Sequence, residues 1–178
     1  MSLLELFSLI KSDLSRLSLK HKKINFFVLA HPRFFPVLFI RLSRYFYLKP
    51  IIKPISYFFL WLNVILFGIE CSPRVKIGRG LLIPHSHGIV IGANFLGDNV
   101  TIFQGVTLGA KSFDLSFAAK LRPKVANRVL IGAGAKVLGG ILIEDDVVIA
   151  ANAVVVKNIP RNSLVAGIPA KRIRNLKV

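Results

Sequence analysis

The sequence predicts a mainly β fold, a parallel β-helix of six-residue repeats preceded by an α-helical amino-terminal part, and three observations carry that expectation. Aliphatic residues recur six apart in three registers: Ile77, Ile83 and Ile89, then Leu96, Ile102 and Leu108, then Ile131, Val137, Ile143, Ile149 and Val155. A helix repeats at about 3.6 residues and a strand at about 2, so this rhythm fits short strands joined by turns, each turn of the solenoid burying an aliphatic corner. The pairs Ile77-Gly78, Ile91-Gly92, Leu108-Gly109 and Ile131-Gly132 set a tight-turn residue beside the buried one. Near residue 70 the composition also changes, from aromatics and helix-spaced leucines to Gly, Val and Ile at short intervals.

The chain therefore divides into a helical, basic and aromatic-rich region, 1–69, and a coil domain, 70–178. In the first region Leu3, Leu6, Phe7, Ile10, Leu14 and Leu17 recur at three and four, which predicts one face of an amphipathic helix. A basic break follows at 20–23, with His21 inside it. His31-Pro32 and Pro36 bracket the start of a second helix reaching about Leu48, and Pro50 and Pro54 end it and open a third, from Ile55 to Phe67. That third run is apolar nearly all round and must be covered by protein or lipid. It is shorter than the roughly 18–20 residues a bilayer span needs, and Lys53 and Glu70 stand at its ends. Arg33, Arg41, Arg44, Lys49 and Lys53 among Phe, Tyr and Trp suit a segment lying on an acidic membrane; packing on the coil or in an oligomer is the other reading.

Between Leu108 and Ile131 the six-residue rhythm lapses, so a loop at 110–124 must leave the coil and return. Long loops on rigid scaffolds often carry function.

Hydrophobic residues make up 53% of the chain and charged ones 19%, which excludes wholesale disorder. The formal charge of +17 attracts an anionic partner without choosing one. No zinc-binding pattern, RNA-recognition motif or helix-turn-helix supports a nucleic-acid partner. The single cysteine, Cys71, excludes an internal disulfide and reads as a small buried hydrophobe. Residues 1–10 lack a basic secretory n-region, so the expected location is the cytoplasm, with contact at the inner face of the membrane left open.

Five segments carry a family resemblance: Glu70-Cys-Ser-Pro-Arg-Val-Lys-Ile-Gly-Arg-Gly80, Pro84-His-Ser-His-Gly-Ile-Val-Ile-Gly92, Gln104-Gly-Val-Thr-Leu-Gly109, Leu130-Ile-Gly-Ala-Gly-Ala-Lys-Val-Leu-Gly139 and Val165-Ala-Gly-Ile-Pro-Ala-Lys171. Over roughly 68–171 the chain resembles the hexapeptide-repeat acyltransferases, in particular their serine acetyltransferase branch. The resemblance implies a left-handed coil, a homotrimer, and acetyl-CoA bound in the groove between neighbouring coils. It gives His85 the role of general base on the acceptor hydroxyl, work that an imidazole can do by taking up and returning a proton. Glu70 falls where the family keeps a carboxylate, normally Asp, that steadies the histidine. Gly109, Ala110, Ala133 and Ala151 match small positions along the pantetheine arm, and N–H groups near Gly109 and Ala110 are candidates for the oxyanion. Lys171 and Arg172, with Arg174 and Lys177 in the same basic tail, are candidates for the nucleotide phosphates. His87 is a candidate for the acceptor pocket. No metal is required, and His85 and His87 lack partners at ligand spacing.

Two departures bear on the acceptor. Pro84 stands where serine acetyltransferases usually have Asp, and Arg122, in Leu121-Arg-Pro-Lys124, stands where they have a second histidine. A lost carboxylate and an added guanidinium disfavour an ammonium and favour an anion. The expected activity is thus acetyl-CoA-dependent O-acetylation of a sugar hydroxyl on a capsule or exopolysaccharide, or on its precursor. Serine O-acetylation in cysteine biosynthesis is the alternative, and a non-catalytic trimeric scaffold a third reading.

Overall fold

The computed structural model describes residues 1–18, 31–114 and 116–176. The basic break at 20–23 with His21, and Lys177 of the tail, lie outside the described residues.

Three helices come first: α1, Leu3–Leu17; α2, Phe34–Tyr47; and α3, Pro54–Phe67. A capping box starts α1, with Ser2 Oγ accepting from Glu5 N–H and the Glu5 carboxylate accepting from Ser2 N–H. Only part of its predicted apolar face is covered, because Leu6 and Leu14 are buried while Leu3 and Phe7 stay exposed. Pro54 fits the first turn of α3, and Gly68 ends it in the left-handed region at φ 60°. One side of α3 packs on α2 through Phe39–Phe59 and Phe46–Phe59 ring contacts.

From Ile69 the chain winds into three sheets. The first holds Ile69–Cys71, Ile89–Ile91, Thr107–Gly109, Lys136–Leu138 and Val154–Val155, all parallel. The second holds Lys76–Ile77, Phe95–Leu96, Lys124–Val125 and Leu142–Ile143. The third stacks Thr101–Ile102, Leu130–Ile131, Val148–Ile149 and Ser163–Gly167, and ends on an antiparallel strand, Ala170–Asn175. Successive strands visit the three sheets in rotation, as the six-residue period requires.

All eleven repeat aliphatics lie in the core, from Ile77 to Val155, stacked as in Ile91, Leu108, Val137 and Val155. Each fully buried aliphatic contributes on the order of 1.5–3 kcal/mol. The corner between the third and first sheets repeats as Gly88, Gly105, Gly134 and Asn152, all at positive φ, stacked so that a Cβ on Gly105 would lie 3.4 Å from Gly134 Cα. Helices and coil are joined at the buried pair Asp13–Arg41, where Arg41 also donates to Ile77 O and Gly78 O and Asp13 accepts from Leu81 N–H.

Candidate active site

His85 stands on the first rung of the corner between the third and first sheets. Leu82 bridges Thr101 of the third sheet and Ile89 opens the next strand of the first, so 84–88 is the turn between them. Backbone bonds fix this turn: His87 N–H donates to Phe67 O at 2.8 Å, Ile89 N–H to Gly68 O, and Gly105 N–H to His87 O. Gly68 is needed twice, for its positive φ and because a Cβ there would lie 3.1 Å from His87 Cα.

The His85 ring is exposed, 6.2 Å from the Phe103 ring. It opens into a cleft of about 300 Å³ between the coil corner, with Pro84 and His87, and the start of α2, with Pro32 and Arg33. His87 has φ 81°, and its Nδ1 lies 3.1 Å from Ser86 Oγ. Arg33 is the charged partner that sequence reasoning missed as a site residue; its signal was its place beside Pro32, at the helix start that packs over the corner.

Higher rungs of the same corner carry Ala133 and Ala151. Gly105 N–H donates to His87 O, Gly134 N–H to Gln104 O and Asn152 N–H to Ala133 O, so His87, Gln104, Ala133 and Ala151 rise in one column beside the positive-φ residues. A Cβ on Gly132 would come within 2.6 Å of Ala151 N, so small residues are needed here for packing as well. At the top, Lys171 pairs with Ala166 and Arg172 with Val165, both cations exposed on the strand Ala170–Asn175.

Gly109 and Ala110 lie elsewhere, at the corner between the first and second sheets. A Cβ on Gly109 would meet nothing within 4 Å, so its surface is open. Glu70 lines a different depression from His85. It lies on the first strand opposite Val90 and faces a depression with Tyr47, Tyr57 and Arg74; no hydrogen bond joins it to His85.

The loop is folded back on the coil by its own charges. Arg122 Nη2 and Nε meet Asp114 Oδ2 at 2.9 and 3.2 Å, and Nη1 donates to Gly92 O. Phe117 lies under the Arg122 guanidinium, 3.9 Å from it, and Arg74 donates to Ser116 O. Hydrogen bonds from Ser116, then from Arg122 and Ala118 N–H, hold the Asp114 carboxyl below its usual range. Burial pushes the Cys71 thiol up to about 12, so it stays protonated and inert near neutrality. Among the described residues no group of three or more His, Cys, Asp or Glu could hold a metal.

A family model described as bacterial transferase hexapeptide (six repeats) matches 122–157. A solved serine acetyltransferase from Brucella abortus strain S19 superposes with a TM-score of 0.83 at 31% identity, covering 97% of this chain and 70% of that one. The chain belongs to the hexapeptide-repeat acyltransferase family.

Other members of this family add to the likeness. The Neisseria gonorrhoeae serine acetyltransferase structure gives a TM-score of 0.87 at 28% identity, over 99% of this chain and 70% of that one. Serine acetyltransferases of Helicobacter pylori and Staphylococcus aureus are 52% and 48% identical over 107 and 108 residues, each match covering 60% of this chain. The matched segments span 61% and 49% of those relatives' lengths.

These findings correct the expectation of a glycan acceptor. Relatives 52% and 48% identical over 107 and 108 residues are named serine acetyltransferases, and this favours serine over a glycan as acceptor. The physical reason lies in Arg122, whose cation was the argument for an anionic acceptor and is already paired with Asp114.

Proposed function

We propose that the protein is a serine O-acetyltransferase that uses acetyl-CoA as donor. The single observation that carries this reading is the His85 corner, in a chain about half identical over 107–108 residues to relatives named serine acetyltransferase. In this reading His85 takes the proton of the serine hydroxyl as its oxygen attacks the thioester carbonyl. The tetrahedral intermediate collapses with loss of the CoA thiolate, which receives the proton from the imidazolium, giving O-acetylserine and CoA. Arg33, across the cleft from His85, supplies a cation for the serine carboxylate.

The donor lies along the column from His85 past Ala133 and Ala151, its phosphates toward Lys171 and Arg172. Gly109 and Ala110 lie on another corner, so one chain cannot gather all these groups about one donor. A left-handed coil assembled as a homotrimer, with the corner at 109–110 of a second copy closing the groove, accounts for both sets.

The test is release of CoA from acetyl-CoA by purified protein, with L-serine as acceptor and His85→Ala as control. Turnover that needs both serine and His85 supports the reading; serine-independent background in both proteins removes it.

A further inference from the structure

We propose that the outer face of α3 docks on the surface of an anionic lipid bilayer. The polarity of this helix is inverted. Its two buried residues are polar, Ser56 and Asn63, seven positions apart and so on one side. Ser43 Oγ donates to Ser56 O at 3.0 Å, and Asn63 Nδ2 donates to Pro36 O at 3.1 Å, so the polar side chains tie α3 to α2. The opposite side carries Phe58, Trp61 and Ile65, each more than half exposed, and Ile51 just before the helix is 94% exposed.

A helix that faces water shows the reverse pattern. Polar residues joining helices while large apolar side chains point outward is the arrangement of helices in contact with lipid. Exposed apolar patches of this extent mark a docking surface.

Charge selects the occupant. Residues 31–69 hold five Lys or Arg and no Asp or Glu. Arg41 is tied to Asp13, and Arg44 donates to Pro73 O and Arg74 O, so their charges are engaged inside. Lys49 and Lys53 flank the start of α3, with Nζ atoms 5.6 Å from the Tyr45 ring and 4.5 Å from the Tyr47 ring. Two copies meeting through this face would bring these lysines together on chains each carrying +17, whereas acidic headgroups neutralise them.

Among the described residues no helix is long and apolar enough to cross a membrane. With 14 residues α3 is about 21 Å long against a hydrocarbon core of about 30 Å, so it lies in the interface plane with Trp61 toward the acyl boundary.

Trp61 is the single tryptophan and reports directly on the face. The full chain is mixed with vesicles of phosphatidylcholine alone or with added phosphatidylglycerol, reading Trp61 emission and co-sedimentation. The proposal expects a blue shift and co-sedimentation with anionic vesicles only, reversed by salt. Lys49→Gln with Lys53→Gln should weaken binding about thirtyfold. Phe58→Ser with Ile65→Ser should abolish it; both side chains are exposed, and circular dichroism checks that the helices persist. Equal binding to neutral vesicles, or none to either, overturns the proposal. So does a shift that appears without lipid as protein concentration rises, with a sedimenting mass that falls in the Ile65→Ser variant, since a second copy then covers the face.

Discussion

Arg41 Nε and Nη2 lie 2.8 and 2.9 Å from the two carboxylate oxygens of Asp13, and both side chains are 2% exposed. This fork joins α1 to α2, and through Ile77 O, Gly78 O and Leu81 N–H it joins both helices to the first coil. Asp13→Ala leaves a buried guanidinium uncompensated and should cost about 3–5 kcal/mol, read by urea denaturation. The double variant Asp13→Leu with Arg41→Met should recover only part of this, because the coil groups it serves lose their partners as well.

Glu70→Gln tests how far the orienting carboxylate acts. With no hydrogen bond to His85, it should lower kcat by at most about tenfold, against about 10²–10⁴ for His85→Ala. Equal losses in the two variants would show that Glu70 reaches the ring once substrate is bound.

Arg33 should show itself in acceptor binding. In Arg33→Ala the KM for serine should rise about tenfold or more while kcat changes little, since the guanidinium meets the carboxylate and not the reacting hydroxyl. Steady-state kinetics with serine and with its amide separate the two: the amide should be insensitive to the substitution.

The loop anchor should be pH-dependent. Hydrogen bonds from Ser116, and then Arg122, lower the folded pKa of Asp114, so this anchor contributes fully above the unfolded carboxylate value of about 3.9 and is lost as pH falls through the lower folded value. Amide exchange of residues 116–122 should stay slow down to about pH 4 and rise below it. In Asp114→Ala it should be fast at every pH.

The coil was legible because its period is enforced by packing: a residue such as Leu108 must be aliphatic wherever Ile91 and Val137 stack on it. The start of α3 was legible for a local reason, Pro54 having few places to stand in a helix other than its first turn; Gly68, which ends it, was not read as a stop. The Asp13–Arg41 pair was not, since the two residues meet only when separate helices pack, and neither carries a local pattern. Arg122 was misleading for a related reason. Its sequence neighbours Leu121 and Pro123 gave no sign of Asp114, which the turn of the loop brings against it. Arg33 was seen as one more basic residue among aromatics, because its place beside His85 depends on where α2 lies over the corner.

The final strand, Ala170–Asn175, runs against the grain of the stack below it. A parallel coil can in principle lengthen by accepting further strands, including those of another molecule, and its last rung is an open template. The reversed strand covers the third-sheet edge and presents Lys171, Arg172 and Arg174 there. Like charges repel, so two copies meeting through this edge are disfavoured.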